Sequence, residues 1–305
     1  MTESYLNAVR LLLSVAPAIF RDRRLALKGG TAINLFVRDL PRLSVDLDLV
    51  MVDHTVPRPQ ALADISDTLR TIREELTSDS LLCETGASTD GSESKLFVER
   101  SGTRIKVEVN HVFRGTVLPV EDRPLAPQAQ DLFFTEIAVP LLHPDELYGS
   151  KLVAAMDRQH PRDWFDVLGL FANGGLSHPI VECFVSYLAG HNRPIHEVLF
   201  ANPNDLAPAF KNEFSGMARE PVSLEDLLAA RRRLFTELPG ALSQAHREFL
   251  LGFARAEPDW SLMRCDHLAS LPTIRWKLEN LRKLKVADPT KFAQQESELA
   301  TRFGV

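Results

Sequence analysis

Two aspartates one residue apart, Asp46-Leu47-Asp48, lie in a run where Val45, Leu47, Leu49 and Met51 alternate with Asp46, Asp48 and Val50. A period of two predicts a strand over residues 45–51, with both carboxylates on one face and their Cα atoms roughly 6.6–6.8 Å apart. Like charges that close repel and favour protonation unless a cation compensates them, and hard oxygen ligands suit Mg²⁺ bridging nucleotide phosphates. Taken alone, an Asp-x-Asp is equally a half-solvated strand face.

Three other features belong with this pair. Lys28-Gly29-Gly30-Thr31 follows the short apolar run Leu25-Ala26-Leu27 and precedes apolar residues at helical spacing, Ala32, Leu35 and Phe36. Without Cβ atoms the glycines let main-chain N–H groups approach a phosphate, and a helix start favours negative charge; the competing reading is a tight strand-to-helix turn. Ile105-Lys106-Val107-Glu108-Val109-Asn110 alternates again and offers a third carboxylate, Glu108, or else a surface cross-strand ion pair. Phosphoryl-transfer sites with two metals need several carboxylates, because the ions sit about 3.5–4 Å apart. Finally, Lys151 is followed by Arg162, Asp163 and Asp166, the two acids facing one way at i and i+3. A lysine is a point charge suited to phosphates, and a nearby acid can orient it; an intrahelical Arg162–Asp166 pair is the plainer alternative.

The elements that must position these groups change character along the chain. Up to about residue 142, strand-like and helical runs alternate. An amphipathic helix is expected over 61–76, and a meander of three strands near 81–84, 95–99 and 104–113 is separated by the turn signals Asp90-Gly91 and Ser101-Gly102. Beyond Pro140 the pattern is helical: a first helix from His143-Pro144-Asp145-Glu146 to about Arg158, a second from Pro161 to the stop Asn173-Gly174-Gly175, and others near 180–189, 224–234, 241–255, 272–285 and 290–302. The expected fold is α+β, a mixed sheet with helices over 1–142 followed by a mainly α-helical domain over 143–305.

Composition sets limits. The 305 residues, 45% hydrophobic and 25% charged with 15 Gly and 19 Pro, describe a globular chain of one large or two smaller domains. The apolar stretch over 11–20 is short of the roughly 20 residues a membrane span needs, and it lacks a preceding basic region, so a cytoplasmic protein is expected. Cys83, Cys183 and Cys265 have neither zinc-site nor disulfide spacing, and the nine histidines form no helical metal pair, so structural zinc is not expected. The net charge of −6 excludes a wholesale nucleic-acid coat. Local basic patches remain, at Arg231-Arg232-Arg233 and over 272–285, where Arg275, Lys277, Arg282, Lys283 and Lys285 face only Glu279 on a helix that also carries Trp276. Arg275, Lys277, Arg282 and Lys283 are the candidates for RNA contact.

Lys28-Gly29-Gly30-Thr31, then Arg42-Leu43-Ser44-Val45-Asp46-Leu47-Asp48-Leu49, a carboxylate strand, Lys151-Leu152, and Arg162-Asp163-Trp164-Phe165-Asp166 together resemble the AbiEii/AbiGii toxin nucleotidyltransferase family, which includes the MenT toxins and falls within the polymerase-β-like nucleotidyltransferases. The resemblance covers residues 25–170. The wider superfamily usually has Gly-Ser in the turn, and Gly30-Thr31 replaces it with a hydroxyl of the same hydrogen-bonding type.

The resemblance implies that Lys28, Gly29, Gly30, Thr31 and Ser44 form the nucleotide site. Asp46 and Asp48 would bind Mg²⁺ with Glu108 as third acid, although the wider fold often has Asp there. Lys151 would contact phosphate, Asp163 would be a late catalytic or lysine-orienting acid, and Asp166 structural. The helical domain would thus contribute Lys151 and Asp163 to the active-site cleft. Family members belong to bacterial toxin–antitoxin or phage-defence systems, and some add nucleotides to the 3′ end of tRNA and block aminoacylation. The expected activity is transfer of a nucleoside monophosphate from an NTP to the tRNA 3′ end with release of pyrophosphate, an antitoxin being encoded nearby. The alternatives are transfer to a protein hydroxyl, or a binding protein that keeps the fold without catalysis.

Overall fold

The computed structural model describes residues 2–87 and 93–305. The Asp90-Gly91 turn signal lies outside the described residues. The chain divides into two compact units, Met1–Leu147 with Ser215–Pro221, and Tyr148–Phe214 with Val222–Val305.

The first unit contains α1 (Glu3–Ile19), β1 (Leu25–Lys28), a single turn α2 (Gly29–Thr31) that widens at Ala32–Val37, β2 (Asp46–Met51), α3 (Arg58–Ser78), β3 (Leu82–Ala87), β4 (Glu93–Arg100), β5 (Thr103–Asn110), β6 (Glu121–Pro124), α4 (Pro127–Phe133) and β7 (Ala138–Leu141). The strands form one mixed sheet in the order β3-β4-β5-β2-β1-β7-β6. β2 runs parallel to β5, and β1 parallel to β7. The expected meander is present as the antiparallel β3-β4-β5. Its second corner is Ser101-Gly102, both at positive φ (52° and 77°), a tight hairpin turn whose backbone twist matches the flanking strands.

Alternation decides which sheet face is core. Leu47 and Leu49 of β2, Ile105, Val107 and Val109 of β5, and Leu96 and Val98 of β4 are buried, and α1 packs on β5 while α3 packs on β3 and β4. Each such aliphatic side chain contributes about 1.5–3 kcal/mol by leaving water. The intervening residues, Asp46, Asp48, Lys106 and Glu108, stay half-buried on the other face.

Several parts of this unit were not anticipated, the helices α1 and α4 among them. β6 and β7 are four residues each and contain Pro124 and Pro140, so they lack a readable alternation. The segment 215–221 returns to the first unit, where the Leu43 N–H donates to the Met217 carbonyl (2.9 Å), the Arg219 N–H to the Pro41 carbonyl (2.9 Å), and Arg42 bridges to Ala218. It thereby fixes the arm that leads into β2.

The unit boundary falls inside α5 (Pro144–Arg158). The second unit continues with α6 (Pro161–Phe171), α7 (His178–Ala189), α8 (Ile195–Leu199), α9 (Ala207–Ala209), α10 (Leu224–Ala241), α11 (Gln244–Ala254), α12 (Pro272–Ala287) and α13 (Pro289–Phe303). Hydroxyl caps set several starts: Ser177 accepts from Ile180 N–H at α7, while Ser223 with Asp226 and Ser243 with His246 form reciprocal boxes at α10 and α11. Trp164, Phe184, Leu234, Phe249 and Phe253 are fully buried in its core. Among the described residues no helix is long and apolar enough to cross a membrane.

Candidate active site

In the first unit the candidate residues come together through strand register. Lys28 pairs with Asp48 across β1 and β2, Asp48 with Glu108 across β2 and β5, and Glu108 with Lys95 across β5 and β4. One row across four strands therefore reads Lys28, Asp48, Glu108, Lys95. The adjacent row places Asp46 beside Lys106 and Lys106 beside Phe97. Because residues two apart share a face, all these side chains leave the same side of the sheet.

The glycine bend is shaped around this row. Gly29 has φ of 77°, and a Cβ there would lie 2.5 Å from Asp48 Oδ2. A Cβ on Gly30 would lie 2.9 Å from Arg42 Nη2 and 3.0 Å from Ser44 Oγ. No L side chain fits either position without displacing a site residue. Arg42 is buried and its guanidinium donates to the Leu43 carbonyl (3.0 Å). Thr31 is also buried, and its hydroxyl donates to the Asp46 main-chain carbonyl, tying the bend to the start of β2. The Lys28 ammonium lies 5.5 Å from the centre of the Phe113 ring.

Glu108 carries the local charge balance. Lys106 Nζ lies 2.8 Å from its Oε2 and Lys95 Nζ 3.4 Å from its Oε1. Burial would raise the Glu108 carboxyl, but Lys106 and Lys95 together hold it below the usual range. Burial would likewise lower Lys106, yet Glu108, Asp46 and Asp48 raise it. The plainer sequence reading of Glu108, a cross-strand ion pair, is thus realised on the same face as both aspartates. Oxygen donors from two adjacent strands and a bend that excludes Cβ atoms fit a divalent cation and a phosphate chain. A cation at Glu108 must compete with two ammonium groups.

In the second unit α5 and α6 build a buried charge cluster. Lys151 Nζ lies 2.9 Å from Asp163 Oδ1 and 3.1 Å from Asp166 Oδ2. Arg158 clamps the same Asp163 with both arms, Nε to Oδ2 at 2.6 Å and Nη2 to Oδ1 at 2.9 Å. Burial would raise the Asp163 carboxyl, but Lys151 and Arg158 hold it far below the usual range. The cluster forms because His160 caps α6 and Pro161 starts it, which sets Asp163 and Asp166 on one face toward α5. The intrahelical Arg162–Asp166 alternative is replaced: Asp166 pairs with Lys151, and Arg162 Nε lies 3.4 Å from His160 Nδ1. Sequence reasoning missed Arg158.

The RNA-contact candidates need one correction. Lys277 is only 6% exposed, and its ammonium donates to the carbonyls of Asn192 and Arg193, both at 2.9 Å. It is a structural clasp and not a surface cation. Arg275, Arg282 and Lys283 are exposed, Lys283 pairing with Glu279 at 2.7 Å. The arginine triplet is locally engaged: Arg231 donates to the Asn204 carbonyl, Arg232 pairs with Glu225, and Arg233 pairs with Glu237 and covers the Phe171 ring. A polar cavity of about 480 Å³ in this unit, lined by Asp157, Arg193, His196, Glu197, Phe200 and Lys291 among others, includes none of the anticipated site residues.

The mixed sheet sets two aspartates of one strand beside a glycine bend, the arrangement expected from the nucleotidyltransferase resemblance. Residues 10–280 match the family described as nucleotidyl transferase AbiEii toxin, type IV toxin–antitoxin system, and the chain belongs to this family. Among solved structures it resembles the nucleotidyltransferase toxin MenT4 of Mycobacterium tuberculosis H37Rv, with 18% identity, a TM-score of 0.58, and 92% of this chain and 93% of that one covered. That likeness shows the shared fold. Among curated proteins no sequence matches significantly.

Proposed function

We propose that this chain is a Mg²⁺-dependent toxin that transfers a nucleoside monophosphate from an NTP to the 3′-hydroxyl of tRNA, releasing pyrophosphate and blocking translation. The observation that supports it best is the row of Asp48 and Glu108 beside Asp46, closed by a glycine bend that leaves no room for a Cβ. Asp46 and Asp48 would hold the metal, with Glu108 available as a third acid once Lys106 and Lys95 yield it. Bound Mg²⁺ would neutralise the triphosphate and favour the attacking hydroxyl.

The chain's own groups supply position and charge. Main-chain N–H groups of Gly29 and Gly30 approach phosphate where side chains would obstruct, and Ser44 flanks Gly30. Lys151 and Asp163, carried over from the family pattern, are proposed as a phosphate-contacting lysine and the acid that orients it. In the transfer, the acceptor oxygen bonds to the α-phosphorus as that phosphorus parts from the oxygen bridging to the β-phosphate. Pyrophosphate leaves with the electron pair, and the hydroxyl proton passes to solvent. Such chemistry is mostly positioning and electrostatic stabilisation. An antitoxin encoded nearby is the proposed partner in the cell.

Incubating the purified chain with each labelled NTP, Mg²⁺, and separate tRNA and protein pools tests the reading. Label at RNA 3′ ends is expected. Label confined to polypeptide would redirect the same site to a protein hydroxyl, and growth arrest that survives loss of both Asp46 and Asp48 would favour a non-catalytic binding protein.

A further inference from the structure

The second unit carries a cluster that the proposed reaction does not use. His178 is the first residue of α7, Glu182 follows one turn later on the same face, and His246 is the third residue of α11. One donor atom from each lies within 4.8 Å of the others. Glu182 and His246 are 7% and 1% exposed, whereas His178 is open to solvent.

We propose that His178, Glu182 and His246 form a site for a divalent transition metal, with zinc the best match, that ties the start of α7 to the start of α11. Two imidazoles and one carboxylate are the donors of three-ligand zinc sites, which leave the fourth position to water. Magnesium, which favours an all-oxygen shell, is a poor match. Tetrahedral zinc needs its donor atoms about 3.3 Å apart. Glu182 Oε2 and His246 Nε2 are already 2.9 Å apart. The remaining approach falls to His178, whose ring centre is 5.3 Å from that of His246 and whose exposed position leaves it room to turn.

Support beyond the ligands is in place. The Arg264 N–H donates to Glu182 Oε1 at 2.7 Å, which fixes the carboxylate and leaves Oε2 facing His246. The Ser243 N–H points at His246 Nδ1 at 3.3 Å, so the proton of the neutral ring sits on Nε2, shared with Glu182. A metal at Nε2 moves that proton to Nδ1 at the expense of this long contact. The cap bond from the His246 N–H to the Ser243 hydroxyl, 3.2 Å, is unaffected.

Titration of the full chain with Co²⁺ as a spectroscopic probe, then with Zn²⁺ against a chromophoric chelator, both in excess Mg²⁺, tests the site without reference to activity. One equivalent per chain is expected, with the intense visible absorption of four-coordinate Co²⁺ that Zn²⁺ abolishes. His178→Ala, at an exposed position, should leave metal-free melting unchanged and weaken Zn²⁺ at least about a hundredfold, since even outer-shell partners are worth about 10–100-fold. Asp46→Asn with Asp48→Asn should leave the equivalent intact, and this separates the site from the proposed magnesium centre. No tight equivalent, one that survives His178→Ala, or one lost with Asp46 and Asp48 would each overturn the proposal and leave Glu182 and His246 as a buried hydrogen-bonded pair.

Discussion

At the scale of single residues, β2 shows how narrowly chemistry and stability are interleaved. Asp46 is half-buried on the site face and Leu47 fully buried on the core face. Leu47→Ala should therefore cost about 2–5 kcal/mol in urea melts, and Asp46→Asn less than about 0.5 kcal/mol. Equal losses would show that the strand's faces are misassigned. Gly29→Ala should be selective in the opposite sense: its positive φ costs about 1–2 kcal/mol, but its Cβ would collide with Asp48 and nucleotide transfer should fall to background. Retained transfer would mean the bend does not shape the site. Asp46 and Asp48 were legible because strict alternation assigns faces without tertiary knowledge. Lys277 was misread although a signal existed: with Ile274, Leu278 and Leu281 it lies on the helical stripe that faces inward. The His178–Glu182–His246 cluster was not legible as a whole: His178 and Glu182 are an ordinary i, i+4 pair on α7, and His246 joins them from a helix far away in sequence.

At the scale of elements, α5 and α6 are joined by one buried charge cluster. Asp163→Asn removes the acid that both Lys151 and Arg158 address, and removing one partner of a buried pair costs about 3–5 kcal/mol. Since the folded carboxyl lies below its unfolded value of 3.8, the stabilisation is fully present above that value and lost as pH falls beneath it. The gap between wild type and variant should thus be constant near neutrality and narrow in acid; a gap that widens in acid would contradict the assignment. The clasp between α12 and the chain at residues 192–193 behaves inversely. Burial pushes Lys277 down to about 8 from 10.5, so across that interval the unfolded chain holds a proton the folded chain has released, and stability rises with pH. Lys277→Met should flatten that slope in melts between those two values. An unchanged slope would place the titrating group elsewhere. The long helices were readable from their caps, prolines and apolar stripes. β6 and β7 were not, because four residues with a proline carry no period and gain their strand character only from the neighbours they pair with.

At the scale of the whole molecule, the α+β order, a mixed sheet followed by helices, follows from the change in periodicity near Pro140. What the sequence pattern does not reveal is that residues 215–221 belong with the first unit, where they pair with the chain at 41–43. Such a return depends on main-chain hydrogen bonds, which any side chain can make, so it leaves no mark in composition. Family membership rests on residues 10–280, and the candidate site is drawn from strand register. The most direct measurement is sequencing of RNA 3′ ends, with pyrophosphate release read in parallel, after tRNA is incubated with one NTP, Mg²⁺ and either the wild-type chain or its Asp46→Asn/Asp48→Asn variant. Extended 3′ ends and matching pyrophosphate from the wild type alone are the predicted result. Equal extension by both proteins would contradict the carboxylate site, and no nucleotide transfer by the wild type to any acceptor would contradict the catalytic account itself.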